Sequence, residues 1–376
     1  MDSPFVFSRP VLADNFVGRK NELAWLSANL LNAQHTVLIA PPNYGKKSLV
    51  MSAFLHLQKE TVFKSCNLNL FNVRDEAAFY VALANALFRT LCTTSDEWTL
   101  TAQQLCVHTQ PEITIDESRQ NEIHLLFDES QLMSHADEIL NLPETLATLK
   151  NVRVIVCIED FQDVECFDNT PAFQKKLAEA WKAHRNVCYL LCGSRKNTMR
   201  KLFAANSSFY NFGEIIPLEP LDEKLTVDYI IKSYSKSGRV ITKEFAEQVC
   251  RTVCGYPYYV QQLSHLCWLN TRGFVTETVV NKSIEDLYDY NHRLFKMITD
   301  ALSPSQLNYM RAVIDGTDRF SSAESLAVYK LHSSANIARV REALEKKEIM
   351  EFGKNNKPVF VDPVFELWFR RRYMNK

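Results

Sequence analysis

Short apolar runs alternate along the chain with longer segments whose apolar residues repeat at helical spacing. The runs lie at residues 37–39, 66–70, 152–158 and 187–192, and helical spacing is clear at 75–92. A nearly continuous apolar run is typical of a strand that is buried on both faces of a parallel sheet. Strands that alternate with helices indicate crossover connections. The pattern therefore predicts an α/β fold with a parallel sheet.

One pair of runs breaks this order. Residues 112–116 and 122–127 flank a polar turn, which predicts a β-hairpin inserted near residues 111–128. Residues 95–110 before it are polar and poorly periodic, so no element is predicted there. The helix after the hairpin is expected to be interrupted near Pro143, because proline lacks the N–H that a helix interior needs.

From Leu218 onward the pattern becomes helical. We predict a first domain at residues 1–217, a helical domain at 218–301 and a last domain at 302–376. In the last domain, three helix-like stretches precede two short extended pieces, at 303–314, 322–331, 333–347, 350–352 and 359–361. Three helices and a two-stranded wing are typical of a winged helix-turn-helix.

The composition is that of a globular protein with ample core. The 376 residues are 46% hydrophobic and 23% charged, with a formal net charge of -1. This balance excludes a disordered chain and gives no overall attraction to nucleic acid or anionic lipid. No apolar run approaches the length of a membrane span, and the first residues do not resemble a signal peptide. A cytoplasmic protein without membrane contact is expected.

The ten cysteines include no C-x-x-C pair, and several lie inside apolar runs, among them Cys157, Cys188 and Cys192. Buried cysteines of this kind behave as small apolar residues in a reducing compartment. We therefore expect reduced core thiols rather than disulfides or metal ligands.

The stretch at residues 37–50, VLIAPPNYGKKSLV, has the outline of a phosphate-binding loop. An apolar strand enters a turn, and Gly45-Lys46 leads into a segment with helical spacing. Backbone N–H groups in such a turn bind phosphates, and the lysine supplies a counter-charge. The pattern G-x-x-x-x-G-K-[ST] is met only in part, because Ala40 replaces the first glycine and Lys47 replaces the hydroxyl residue that would hold magnesium.

Candidate nucleotide-binding residues lie in this loop and at Arg19. The helical segment after Arg19 either packs as an ordinary helix or lies beside the nucleotide base. The loop residues are Pro42, Asn43, Tyr44, Gly45, Lys46, Lys47 and Ser48. Ser48 is a poor substitute for the missing hydroxyl, because one residue along a helix is a rotation of roughly 100°. Lys47 either repels magnesium or itself neutralises phosphate charge, which would permit binding without the metal.

Two more strand ends carry polar residues. Glu159-Asp160 comes after the third apolar run, and Ser194-Arg195 comes after the fourth. Since ligands bind at the carboxyl ends of parallel strands, these ends are expected to lie near one site. Glu159 and Asp160 are the candidate catalytic acids, and either would be the metal ligand if magnesium binds. Ser194 and Arg195 are candidates for sensing the γ-phosphate; alternatively, Arg195 only begins the solvated first turn of the next helix.

Together these features resemble the prokaryotic AAA-like ATPases of the archaeal-ATPase type, within the STAND group of P-loop NTPases. Each motif is weak alone, but together they occur in order over nearly the whole chain. They are Phe16-x-Gly-Arg-x-x-Glu22, Pro41-x-x-x-Gly45-Lys46, Phe161-Gln162, Gly193-Ser194, Phe209-Tyr210, Gly255-Tyr256-Pro257-Tyr258-Tyr259-Val260-Gln261, Leu331-x-Ser333-Ser334-Ala335 and Asp362-Pro363-x-Phe365-x-x-Trp368.

The resemblance implies an AAA+-like nucleotide-binding domain, a helical lid at 218–301 and a C-terminal winged helix, with ATP as the ligand. In that family the loop reads much like Pro-Arg-Arg-x-Gly-Lys-Thr, and the acidic motif reads Asp-Glu-Phe-Gln. Here Pro42 and Asn43 replace the arginines, Lys47 replaces the threonine, and the acids are exchanged as Glu159-Asp160. A misplacement of about 1 Å in a catalytic group can lower the rate about a hundredfold.

We therefore expect an ATP-binding switch or scaffold with weak or lost hydrolysis and doubtful use of Mg2+. One alternative is a slow but working ATPase. The other is a nucleotide-free module for protein interaction or DNA binding.

Charge in the predicted winged helix does not favour DNA as a partner. Residues 301–376 hold 13 Lys and Arg against 9 Asp and Glu, and DNA binding needs basic residues that face phosphates. Basic residues such as Arg339 share the candidate recognition helix with acids such as Glu342, while Lys354 and Lys357 lie on the wing. A protein partner or self-association through the lid and winged helix is expected ahead of DNA binding.

Overall fold

The computed structural model describes residues 2–116, 122–168, 170–353 and 357–376. The chain divides into two compact units. The sheet unit comprises Lys20–Pro42 and Leu49–Leu218. The helical unit comprises the described residues up to Arg19, together with Asn43–Ser48 and Glu219–Lys376. The three-domain division with its boundaries stays a prediction.

Parallel strands form the centre of the sheet unit. Its strands are β1 (Thr36–Ile39), β2 (Phe63–Asn69), β3 (Glu112–Asp116), β4 (Glu122–Leu126), β5 (Arg153–Glu159), β6 (Val187–Gly193) and β7 (Glu214–Pro217). Five of them pair in parallel in the order β2-β5-β6-β1-β7. Every residue of β1 and β6 is buried. The predicted α/β fold with a parallel sheet is confirmed.

Strand β7 is the part of the sheet that the apolar pattern does not predict. It pairs with β1 at the edge of the sheet, with Val37 opposite Ile215. Within β7 Ile216 is buried, whereas Ile215 is 40% exposed. Four residues with one buried position are too few to show the period of a strand.

Helices cover the parallel sheet. They are α1 (Lys20–Leu31), α2 (Lys46–Leu57), whose first residues belong to the helical unit, α3 (Glu76–Leu91), α4 (Ser95–Leu105), α5 (Glu129–Ser134), α6 (Ala136–Leu149), α7 (Thr170–Ala183) and α8 (Lys196–Leu202). A 3₁₀ segment, Phe161–Cys166, comes after β5. Aromatic and aliphatic side chains of α3, α6 and α7 pack with the central strands in one hydrophobic core.

Two expectations about these helices are wrong. Helix α4 lies in the stretch for which no element is predicted. Thr94 caps it by accepting a hydrogen bond from the N–H of Glu97 at 3.2 Å, and Trp98 and Ala102 are buried. Pro143 does not interrupt α6, which runs through it without a break. The apolar face of α6 is buried along its length, and this packing outweighs the hydrogen bond that proline lacks.

The predicted hairpin is confirmed by the antiparallel pairing of β3 and β4, with Thr114 opposite His124. Its predicted polar turn at 117–121 lies outside the described residues. The ribbon is held to α3 by the side chain of Asn85. The Nδ2 of Asn85 donates to the carbonyl of Leu125 at 3.1 Å, and its Oδ1 accepts from the N–H of Leu125 at 2.8 Å.

The helical unit contains the predicted C-terminal helices and the second ribbon. Its elements are α9 (Glu223–Lys236), α10 (Lys243–Thr252), α11 (Pro257–Asn270), α12 (Glu277–Asp300), α13 (Pro304–Ile314), α14 (Ala323–Val328), α15 (Ser334–Lys346), β8 (Met350–Phe352), β9 (Pro358–Phe360) and α16 (Pro363–Trp368). Strands β8 and β9 pair antiparallel. The predicted wing residue Lys354 lies outside the described residues. Within the described ranges, no helix is both long and apolar enough to cross a membrane.

The N-terminal segment packs against α9 and α11 of its own unit, which no sequence pattern predicts. Phe5 is buried, and its ring centroid lies 6.1 Å from that of Tyr229 and 5.4 Å from that of Tyr234. The N–H of Val6 donates to Oε1 of Gln261 at 3.3 Å. The segment before α1 is therefore part of this unit's core and not a loose extension.

Side-chain contacts also tie the C-terminus to the same unit. Asp362 caps α16 and accepts a hydrogen bond from the hydroxyl of Tyr259 at 2.6 Å. Arg371 lies 3.2 Å from a carboxylate oxygen of Glu285, and Arg372 lies 2.8 Å from one of Asp289. Acids on α12 thus already neutralise much of the basic run at the end of the chain.

Candidate functional site

Strand β1 leads directly into the candidate phosphate-binding loop. The N–H of Ala40 donates to the carbonyl of Gly193 at 3.3 Å, which continues the pairing of β1 with β6 by one residue. Ala40 and Pro41 are buried, whereas Pro42 is exposed. The next residues, Asn43–Ser48, are grouped with the helical unit. The chain therefore passes from one unit to the other within this loop.

The backbone of the loop alternates between positive and non-positive φ. The dihedral φ is 58° at Asn43 and 86° at Gly45, and it is not positive at Tyr44 or Lys46. Residues whose φ alternates in sign turn successive N–H groups toward one side, as in the nests that bind phosphate. Helix α2 begins at Lys46, so its first N–H groups add to that partial positive charge. Gly45 is needed for its backbone angle, which a side chain would strain.

Tyr44 is held in place by Arg19 and Tyr256, two residues of the motifs quoted for the resemblance. The Nη2 of Arg19 donates to the carbonyl of Tyr44 at 3.4 Å, and its guanidinium lies 5.7 Å from the centre of the Tyr44 ring. The Tyr256 ring meets the Tyr44 ring edge-on, with centroids 4.7 Å apart. All three side chains are buried, and burial raises the pKa of Tyr44 to about 12. Arg19 therefore contacts the loop at Tyr44.

The next three residues differ in their surroundings. Lys46 is partly buried and Lys47 is exposed at the start of α2. Ser48 is only 6% exposed, and its hydroxyl accepts a hydrogen bond from the N–H of Val11 at 3.0 Å. The hydroxyl nearest in sequence to the magnesium position is therefore engaged by the N-terminal segment.

A second cluster joins the ends of β5 and β6. Oδ1 of Asp160 accepts hydrogen bonds from the hydroxyl of Ser194 at 2.9 Å and from Nε2 of Gln162 at 3.1 Å. Oε1 of Gln162 accepts from the N–H of Ser194 at 3.0 Å. Asp160 has a φ of 54°, so the chain turns sharply as it leaves β5. Gln162 is 2% exposed and completes this polar triangle.

The neighbouring charged residues have partners of their own. Asn69, on the adjacent strand β2, places its Nδ2 3.4 Å from Oε2 of Glu159. The guanidinium of Arg195, which precedes α8, lies 3.8 Å from a carboxylate oxygen of Asp163. Burial raises the pKa of the Asp163 carboxyl above its usual value, and Arg195 opposes that shift.

The structure thus brings together Asp160 with Ser194, and Arg19 with Tyr44. It adds residues that were not among the candidates: Gln162, Asp163, Tyr256 and Val11. Gln162 and Tyr256 stand in the motifs quoted for the resemblance, which is a usable signal. Nothing in the sequence marks Val11, because its contribution is a backbone N–H. In the part of the chain that the structure describes, no three His, Cys, Asp or Glu side chains form a metal-binding group.

Comparison with known structures decides the fold. The Walker-type ATPase PABY2304 of Pyrococcus abyssi has 14% sequence identity, covers 98% of this chain and 99% of its own, and superposes with a TM-score of 0.68. The chain has the P-loop NTPase fold of the AAA+ type. The ORC2 protein of Aeropyrum pernix, solved as ADPNP–ADP complexes, has 13% identity, coverage of 96% and 98%, and a TM-score of 0.54.

The ORC1 protein of Aeropyrum pernix, solved in complex with DNA, has 10% identity, coverage of 96% and 95%, and a TM-score of 0.51. No family model matches the chain, and no curated protein matches its sequence. At these identities the similarity establishes the fold of the P-loop NTPase and nothing finer.

Proposed function

We propose that this protein binds ATP at the loop 40–48 and acts as a nucleotide-responsive switch or scaffold of the STAND type, with weak or lost hydrolysis. The observation that carries the proposal is the backbone of the loop. Positive φ at Asn43 and Gly45, immediately before the first residue of α2, is the arrangement that binds phosphate through main-chain N–H groups. Lys46 supplies the counter-charge.

The residues at the expected magnesium position do not fit the ion. Lys47 offers only hydrogen-bond donors, and two positive charges at about 4 Å repel by a few kcal/mol at an intermediate effective dielectric. The hydroxyl of Ser48 is buried and accepts a hydrogen bond from Val11. We therefore propose that phosphate is bound by the backbone and by Lys46 and Lys47, without a step that passes through the metal.

Weak or lost hydrolysis is supported by the exchange of the acids, which gives each carboxylate the other's reach. A catalytic acid must have a carboxylate oxygen available for water or metal. Two hydrogen bonds to Oδ1, from Ser194 and Gln162, hold the Asp160 carboxylate in one orientation and leave Oδ2 for a water or a metal. Glu159 is placed beside Asn69. In this proposal Ser194 and Arg195 position the acids Asp160 and Asp163 more than they sense a γ-phosphate.

A switch role is supported by the contacts of the loop itself. Tyr44 lies within the loop, and it contacts Arg19 of the N-terminal segment and Tyr256, which immediately precedes α11. A phosphate that draws the loop's N–H groups toward it shifts Tyr44 and, through it, these two partners. Occupancy of the loop would then be transmitted to the N-terminal segment and α11 within the same unit.

Calorimetric titration with ATP tests the proposal. We expect binding heat in EDTA, about equal to that with magnesium, and its loss in Lys46→Ala. Lys59→Ala is the matched control, because Lys59 is an exposed lysine just beyond α2. Absence of heat under both conditions would overturn nucleotide binding. Steady release of phosphate with magnesium would instead favour the slow ATPase.

We further propose that residues 302–376 form a winged helix that contacts protein rather than DNA. Its basic side chains have partners nearby: Arg341 lies 4.3 Å from the ring centre of Phe352, and Nζ of Lys347 donates to the carbonyl of Ala301 at 2.9 Å. Phosphates would have to compete with these contacts. A shift of duplex DNA in a gel at low salt would make DNA a partner of this domain after all.

A further inference from the structure

The ribbon β3–β4 has one edge that the protein covers and one that it leaves open. In an antiparallel pair, a residue whose N–H and C=O point away from the partner strand belongs to a non-hydrogen-bonded pair. Leu125 is such a residue, because both of its backbone groups bond to the side chain of Asn85. Its partner in register is Ile113, so the N–H and C=O of Ile113 point away from β4 as well.

The same alternation applies two residues further along β3. Ile115 is paired with Ile123, a second non-hydrogen-bonded pair, so its backbone groups also point outward. Among the residues that the structure describes, no hydrogen bond reaches the outward groups of Ile113 or Ile115. The β4 edge is thus capped by a buried asparagine, while the β3 edge presents two donors and two acceptors.

A cavity of about 430 Å³ lies beside this edge, between α4 and β3. The apolar residues Ala102, Cys106, Val107 and Ile113 line it together with the polar residues Thr99, Gln103 and Gln110. Ile115 shares the face of Ile113 on β3 and is 52% exposed. A strand added to β3 would place every second side chain on this face, next to the cavity.

The opposite face of β3 is acidic. Glu112 is exposed there, and Asp116 alternates onto the same face further along the strand. An added strand would therefore be matched by apolar residues on one face and by lysine or arginine on the other.

The acidic pair also argues against a second copy of this chain as the occupant. The antiparallel register that uses all four outward groups pairs Ile113 of one copy with Ile115 of the other. That register sets Glu112 opposite Asp116 twice, and like charges directly opposite are destabilising. Charged residues on an exposed edge are a common protection against self-pairing.

We propose that the β3 edge is a docking site for an extended segment of a partner polypeptide in which apolar residues alternate with lysine or arginine. The segment adds a strand to β3, hydrogen-bonds to Ile113 and Ile115, and places apolar side chains at the cavity. This site does not depend on nucleotide binding at the loop.

Fluorescence anisotropy with the full chain and a labelled, capped heptapeptide of alternating lysine and valine tests the proposal. We expect the lysine–valine peptide to bind at least about tenfold more tightly than a peptide of alternating glutamate and valine. It should exceed by the same factor the lysine–valine peptide that is N-methylated at every second amide. Ile115→Pro should abolish binding while the ribbon stays paired, because only an outward N–H is removed. The double variant Glu112→Lys/Asp116→Lys should reverse the preference between the two peptides.

Several results would overturn the docking site. One is that neither peptide binds the wild-type chain. Another is equal binding of the N-methylated peptide, which would reduce the contact to charge alone. A wild-type dimer in analytical ultracentrifugation that Ile115→Pro converts to monomer would make a second copy the occupant.

Discussion

The hydroxyl of Ser194 donates a hydrogen bond to Oδ1 of Asp160 at 2.9 Å. The two residues come directly after neighbouring parallel strands, β6 and β5, so the bond links two strand ends that the sequence separates widely. Gln162 completes the triangle by bonding to both residues. Because two donors hold the Asp160 carboxylate, we expect it to stabilise the contact between the two strand ends.

Replacement of Gln162 by leucine tests that role. Gln162→Leu removes the bonds to Asp160 and Ser194 at a position that is 2% exposed, and it leaves their polar groups without these partners. We expect the free energy of unfolding to fall by about 2–3 kcal/mol, measured by urea denaturation. Gln58→Leu, at an exposed glutamine, should leave it nearly unchanged. Equal effects of the two variants would show that the triangle contributes nothing to stability.

The sequence predicts the parts of the fold that depend on local pattern. Strands β5 and β6 are continuous apolar runs and are found where the runs lie. Helix α4 is missed because few of its side chains are buried, among them Trp98 and the polar Thr101. They do not repeat often enough along the sequence to show a helical period of apolar residues. Its one local signal is Thr94, which precedes it and caps it.

The positions of the candidate residues at strand ends were predictable, but their contacts were not. The loop and the acids stand at strand ends, which the order of elements predicts. The bonds of Ser48 to Val11 and of Arg19 to Tyr44 join residues far apart in sequence, so no local pattern could predict them. That the Ser48 hydroxyl is already engaged is therefore visible only in the structure.

Buried His184 should make stability depend on pH. It is 8% exposed, and its ring nitrogens contact the hydroxyl of Tyr189 at 2.8 Å and Oδ1 of Asn141 at 3.4 Å. Burial lowers the pKa of His184 from 6.5 to about 4. Between these values the unfolded chain binds the proton and the folded chain does not, so stability is full above pH 6.5 and falls as the pH drops toward 4.

Urea denaturation at several pH values measures this effect. We expect a loss of about 2 kcal/mol between neutral pH and the folded pKa, allowing for solvent screening. His184→Gln should flatten that part of the profile. His56→Gln, which changes an exposed histidine in α2, should retain the wild-type profile. A flat wild-type profile would contradict the assignment.

The bond between Val11 and Ser48 should control the mobility of the N-terminal segment. Ser48→Ala removes the acceptor of the Val11 N–H, which we expect to destabilise the contact by about 1 kcal/mol. Hydrogen–deuterium exchange at Val11 should then become about fivefold faster. Ser52→Ala, one turn further along α2 and 8% exposed, is the control. If both variants exchange at the wild-type rate, the hydroxyl does not hold the segment.

The acidic residues of the β3 edge should be what prevents self-pairing. Asp116→Lys would place a lysine opposite Glu112 in the antiparallel register described above, twice per pair of copies. We expect this single change to promote dimerisation, measured by analytical ultracentrifugation. Glu129→Lys makes the same change of charge in α5, outside the ribbon, and should not dimerise. A monomeric Asp116→Lys chain would show that charge is not what protects the edge.

Lys47 is the residue whose replacement should change the metal requirement most directly. Lys47→Thr removes a positive charge from the start of α2 and supplies a hydroxyl at the position where magnesium is held in an intact P-loop. We expect this variant to bind ATP about tenfold more tightly in magnesium than in EDTA. The wild type should bind ATP with nearly the same affinity in both buffers. Isothermal titration in the two buffers gives both ratios.

The matched control for that experiment is Lys64→Thr, which makes the same change at an exposed lysine of β2. Because the two variants have the same net charge, a difference between them reports on the loop and not on overall electrostatics. Restoring turnover should need more than Lys47→Thr. The acids would still be exchanged, with each carboxylate at the other's reach, so we expect phosphate release to rise only when Glu159→Asp and Asp160→Glu are added. If Lys47→Thr alone gives full turnover, the acids are competent as they stand, and the block on hydrolysis lies at the metal position.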